Sequence, residues 1–186
     1  MKGIVFTEFL EMVEQTNGYD LVDTLLMTTD LPSGGVYTAA GTYSHLELSR
    51  LVATLGQVTH RSDASVLQEY GRYLFQTFLA NYQHFIKAAP NAFTFLSSVD
   101  SYIHVEVKKL YPEAELPTFT VVQLDERTLR MVYQSSRRMG DLAYGLIEAT
   151  MAYYQERATL TQRPLTPDGS RVEFLIIKRD PSETGR

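Results

Sequence analysis

The hydrophobic period of this 186-residue chain changes at Pro117, and that change limits the folds open to it. Before Pro112 apolar residues recur at three- and four-residue steps, as on amphipathic helices; after Pro117 they alternate, as on half-buried strands. Helices first and paired strands later make an α+β chain. The pattern predicts an N-terminal helical part over about 1–90. A further helix and a mostly antiparallel four-stranded sheet, with a long helix inserted, then occupy about 91–180. One domain is expected over 1–180, because this length fills one sizeable core and is short for two.

The first helix is read over 4–16, with Val5, Phe6, Phe9, Leu10, Met12 and Val13 inward and Asn17-Gly18 as its stop. A short helix follows over 19–27, then a breaker-rich loop over 28–43. Ser44 and Glu47 have capping-box spacing and open a helix that turns Leu48, Leu51, Val52 and Leu55 inward. The next helix spans 63–81, with Gly71 in its middle. A glycine there costs about 1 kcal/mol relative to alanine, so it marks either a close neighbour or drift. Residues 85–92 are a connection around Pro90. A helix over 91–110 then carries Phe95, Leu96, Val99, Ile103, Val107 and Leu110 as its stripe and stops at Pro112. Strands are expected over 118–124 and 128–134, a long helix over 139–157, and a hairpin of 160–164 with 171–178. Residues 181–186 read as a frayed tail.

The absence of cysteine excludes a disulfide framework, thiolate catalysis and cysteine-held clusters. A net charge of −5 with no basic stripe argues against nucleic acid. No apolar run approaches membrane length and no signal peptide is visible, so a cytoplasmic location without membrane attachment is expected.

His104 lies about 100° round the helix from the apolar stripe, on a flank shared with Phe93 and Ser97. An imidazole beside a buried face is either a half-buried histidine bonded to a carbonyl or a metal ligand. As a ligand it must act alone, because no second histidine lies three to five residues away. One imidazole cannot hold a bare zinc ion, but it can hold a haem iron whose other bonds come from the porphyrin. Past the second strand, Tyr133, Ser135 and Arg137 are spaced by two, which in an extended backbone projects all three to one side. Two hydroxyls and a guanidinium there make either an ordinary polar strand end or an anion clamp suited to carboxylates such as haem propionates.

His104 within Ile-His-Val-Glu-Val-Lys-Lys-Leu-Tyr-Pro, Pro117 thirteen residues on, and the Tyr133, Ser135, Arg137 triad together resemble the haem nitric oxide/oxygen binding family, the H-NOX domains. The resemblance runs from Met1-Lys2-Gly3 through Glu69-Tyr70-Gly71 and Leu74-Phe75 to Gly145-Leu146-Ile147. It implies haem b, iron protoporphyrin IX, between the helical part and the sheet. His104 would be the iron ligand, and Tyr133, Ser135 and Arg137 would hold the propionates. Pro117 would press on the porphyrin, with Val5 and Gly71 close to the ring.

In oxygen-holding members of the family a distal tyrosine donates to bound gas. The matching position here is Leu142, and the supporting positions are Phe9 and Leu74, all apolar. The resemblance therefore implies a nitric oxide sensor, with carbon monoxide as a second gas ligand, and poor hold on oxygen. Tyr144 lies about 200° round from Leu142 and should point elsewhere. Nitric oxide is expected to weaken the bond from His104, letting its helix shift. A separate histidine kinase or cyclic-di-nucleotide enzyme would read that shift. Two other classes compete: a haem enzyme of peroxidase or dioxygenase type, and a cofactor-free interaction bundle. His45, His60 and His84 show no acid partner placed for acid/base work, and Glu8, Glu11 and Glu14 read as a solvated helix face.

Overall fold

The computed structural model describes residues 1–179; the expected tail at 181–186 and the side chain of Leu110 lie outside the described residues. Four helices form the N-terminal layer: α1 (Ile4–Asn17), α2 (Tyr19–Thr28), α3 (His45–Thr59) and α4 (Asp63–Asn81). The inward positions of the helical period meet in one apolar cluster, in which Phe6, Phe9 and Met12 of α1 pack with Leu25, Leu48, Leu51, Val66, Tyr70 and Leu74. The Tyr70 hydroxyl, fully buried, donates to the Val5 carbonyl at 2.5 Å, so its burial leaves no loose polar group.

Ser44 caps α3 by accepting from the Leu46 N–H at 3.3 Å. Glu47, however, does not close the box. Its buried carboxylate turns to the 28–43 loop and accepts from the Ser33 hydroxyl, the Ser33 N–H and the Tyr37 hydroxyl. Three donors outcompete one backbone N–H. Burial alone would raise the Glu47 pKa, but these bonds and the charge of Arg50 leave it below the ordinary carboxylate value. Its ionised form therefore stabilises the fold above the unfolded-state pKa, and that contribution fades as pH falls through the lower folded value. Glu47→Gln is expected to cost about 1–3 kcal/mol at pH 7, by breaking charge-assisted bonds in a buried site. It should also flatten the loss of stability between neutral and acid pH, read from denaturant midpoints across that range.

Where a connection around Pro90 was expected, a one-and-a-half-turn helix forms: α5 (Gln83–Ala88), whose buried Ile86 anchors it. The expected 91–110 helix is continuous but not uniform. It comprises α6 (Ala92–Ser98), a π turn over Val99–Ile103 and α7 (His104–Leu110). In the π turn the N–H of His104 reaches back five residues to the Val99 carbonyl, so one extra residue is taken up in the winding.

The sheet runs in the order β1-β2-β4-β3 with every pair antiparallel, from β1 (Thr118–Gln123), β2 (Thr128–Gln134), β3 (Ala158–Pro164) and β4 (Arg171–Lys178). Alternation puts Leu129, Met131 and Tyr133 of β2 on the same buried face as Val172, Phe174 and Ile176 of β4. Helix α8 (Gly140–Tyr153) covers that face with Ala143, Ile147 and Met151. It stops short of the expected Arg157, because Gln155 turns to a φ of 57°.

Leu146 of α8 packs against both apolar clusters, which makes α8 the element shared by the helical layer and the sheet. The crossing of α4 and α8 is a contact of backbones. A Cβ on Gly71 would collide with the Leu142 carbonyl and lie 2.9 Å from the Gly145 Cα, and one on Gly145 would collide with the Gln68 carbonyl. Of the two sequence readings of Gly71, close approach by a neighbour holds, and the neighbour is α8.

Candidate functional site

The π turn decides what His104 faces. The extra residue rotates everything after it by about 100° relative to a regular helix. The ring therefore meets β1, with its centroid 5.9 Å from that of Phe119, in place of the expected flank of Phe93 and Ser97. Phe119 in turn stands edge-on to Tyr133 at 5.7 Å. Asp100, one turn back, uses its carboxylate to accept the Phe119 N–H at 3.1 Å, which pins β1 to the π turn. The same oxygen lies 3.5 Å from His104 Nδ1, too far for a good hydrogen bond.

That leaves Nδ1 buried without a partner, in a side chain only 17% exposed. A buried polar atom in this condition costs about 1–3 kcal/mol. Burial holds the imidazole pKa below its ordinary value, against the opposing pull of the Asp100 charge and the Pro117 backbone. The ring is accordingly neutral near pH 7, the form that binds metal. Asp100 is a site residue that sequence reading missed, although its four-residue spacing from His104 was visible. Phe119 was missed because only the pairing of β1 places it.

The carboxylate clamp is built differently from the expected one. Tyr133 lies on β2, but Ser135 and Arg137 lie beyond its end in a turn, closed by Arg138 at a φ of 58°. The premise of an extended backbone therefore fails. Local hydrogen bonds set the geometry instead: the Ser135 N–H donates to the Ser170 carbonyl at 2.9 Å, and the Ser135 hydroxyl accepts the Arg137 N–H at 3.2 Å. The Tyr133 hydroxyl accepts the Met139 N–H at 3.0 Å. The Arg137 guanidinium, 12% exposed, donates to the carboxylate of Glu115 at 3.3 Å, so the position already holds an anion of the propionate type.

Phe9, Leu74, Leu142 and Val5 all belong to the N-terminal apolar cluster, Phe9 and Leu74 fully within it and Leu142 and Val5 at its edge. Tyr144 points the other way, its hydroxyl donating to the Leu160 carbonyl of β3 at 3.3 Å.

A family model described as haem-NO-binding matches residues 2–162. The chain belongs to this family, the H-NOX domains. An H-NOX protein from K. algicida, solved as the Fe(II) unliganded A71G variant, is 36% identical, with all of both chains covered and a TM-score of 0.94. An H-NOX from Shewanella woodyi, solved in the Fe(II)CO state with IWP-051 bound, is 37% identical over 100% of this chain and 98% of that one, with a TM-score of 0.82. The S. oneidensis H-NOX in the Fe(II)NO state, at 24% identity, covers 97% of this chain and 100% of its own. Its TM-score of 0.88 shows likeness of fold. Among curated proteins no significant match is found.

H-NOX domains are haem-binding gas sensors. The residues present fit that group. A buried, neutral imidazole with an unsatisfied nitrogen suits an iron ligand, and a nearly buried guanidinium already on a carboxylate suits a propionate. Among the described residues no cluster of three or more histidine, aspartate or glutamate side chains could hold a separate metal ion. Among the described residues no helix is long and apolar enough to cross a membrane.

Proposed function

We propose that this H-NOX chain is a nitric oxide sensor that carries haem b on His104 and signals to a separate effector protein. The observation that carries the reading is the buried His104 nitrogen with no partner, set in an H-NOX fold. When bound, haem would supply an iron centre able to take a diatomic gas. The chain's own residues do the rest. Phe119 packs against the imidazole on a strand that Asp100 pins in place, Arg137 with Ser135 and Tyr133 holds the carboxylate edge, and Pro117 stands beside the ligand. Residues 1–90 and 91–180 form the two walls of a single unit, with Val5 and Gly71 on the helical side.

Selectivity comes from what Phe9, Leu74 and Leu142 lack. Oxygen needs a hydrogen-bond donor that nitric oxide does not. Two of the four tyrosines packed in the same cluster spend their hydroxyl proton elsewhere: Tyr70 donates to the Val5 carbonyl and Tyr37 to Glu47. Relatives have been solved with carbon monoxide and with nitric oxide bound, which supports both gases as ligands. The chain acts by binding and not by turnover. The effector is a histidine kinase or a cyclic-di-nucleotide enzyme in the cytoplasm, reading a shift of the His104 helix by its different affinity for the two positions.

Visible spectra of ferrous protein test the proposal. Nitric oxide should shift the Soret band at once, while air should give only slow oxidation. A persistent oxygen complex would overturn the selectivity argument. Arg137→Leu should weaken haem uptake about 10- to 100-fold in a Soret titration, the worth of a charge-assisted bond in a mostly buried site.

A further inference from the structure

The connection between the His104 helix and β1, residues 111–117, is a strap with two acidic anchors. Glu113 pairs with Lys2, whose ammonium also lies 4.9 Å above the Tyr111 ring, and Glu115 pairs with Arg137. The second anchor is lopsided. The Arg137 side chain is 12% exposed and its backbone is held by Ser135, whereas Glu115 is 86% exposed. A fixed cation therefore holds a loosely tethered anion. Arg138 offers no alternative cation, since it faces Asp168 at 3.5 Å.

We propose that Glu115 is an internal competitor for the carboxylate that Arg137 holds. This rests on the haem reading above. Two carboxylates at one guanidinium repel each other, so a propionate docking there displaces Glu115 or weakens its hold. The displaced glutamate frees one end of the strap while Lys2 retains the other. Glu115 thus lowers the affinity for haem and makes its arrival felt in the segment that carries Pro117 and follows His104.

The test titrates haem into haem-free wild-type, Glu115→Gln and Glu113→Gln protein, and measures haem release to excess apomyoglobin. Glu115→Gln is expected to tighten binding up to about five-fold and slow release, because an exposed pair of this kind contributes no more than that. It should also lower the melting temperature of haem-free protein more than that of loaded protein. Glu113→Gln, which does not touch Arg137, should give no gain in affinity. An unchanged or weakened affinity in Glu115→Gln would overturn the proposal, by making Glu115 a bystander or a supporter of the clamp. Wild-type protein that takes up no haem defeats the functional reading itself. Wild-type protein that loads normally beside an indifferent Glu115→Gln defeats only the competition.

Discussion

Replacing His104 with glycine is expected to abolish stable haem binding. Losing even an outer-shell partner of a metal ligand costs ~10–100-fold in affinity, so loss of the ligand itself should exceed ~100-fold. His104→Gly protein should purify nearly colourless, and adding free imidazole should restore a Soret band by filling the space the side chain leaves. The fold should survive, because His104 makes no hydrogen bond through its buried Nδ1 and its removal takes away an unsatisfied polar atom. Far-ultraviolet circular dichroism separates this outcome from general unfolding. A variant that keeps its haem without imidazole would remove His104 from the site and the gas-sensing argument with it.

The second large effect is expected at the crossing of α4 and α8. Gly145→Val forces a branched side chain against the Gln68 carbonyl and the Gly71 backbone, where no flexible side-chain end can give way. Overpacking of this kind costs about 3 kcal/mol, which for a chain of this size lowers the melting temperature by about 6–12 °C. Gly169→Ala serves as the comparison. That glycine sits in open space, and its cost comes only from a φ of 72°, so its loss should be much smaller. A melting temperature for Gly145→Val within a degree or two of the parent would show that the two helices are free to separate.

The parts of the fold legible in the sequence are those in which one residue class decides one local conformation. Alternation gave β2 its observed bounds, the hairpin pattern gave β4 its own, and helical periodicity did the same for α4. Elements set by tertiary pairing were less legible. The π turn has no residue signature, because Val99–Ile103 reads as regular helix until β1 docks on Asp100. The turn over Ser135–Arg138 was hidden for a similar reason: its bonds to Ser170 come from a hairpin more than thirty residues away. Glu47 carried the spacing of a capping box, yet the distant donors Ser33 and Tyr37 claimed it.

At the site, residue types pointed to the chemistry while the backbone chose the neighbours. His104 and Arg137 were named from residue type and spacing, and the apolar trio Phe9, Leu74 and Leu142 from the family resemblance. Phe119, Asp100 and Glu115, which touch two of them, were not, since nothing in linear order brings 119 and 115 beside 104 and 137.

The five-residue winding ahead of His104 makes the length of this helix part of its chemistry. Deleting a single residue such as Ser101 would restore ordinary winding and give a better hydrogen-bonded rod. It would also swing the imidazole by about 100°, away from Phe119. A deletion that tidies a helix is usually harmless, but here a descendant that shed the surplus residue would gain regularity and lose the contact of its imidazole with Phe119.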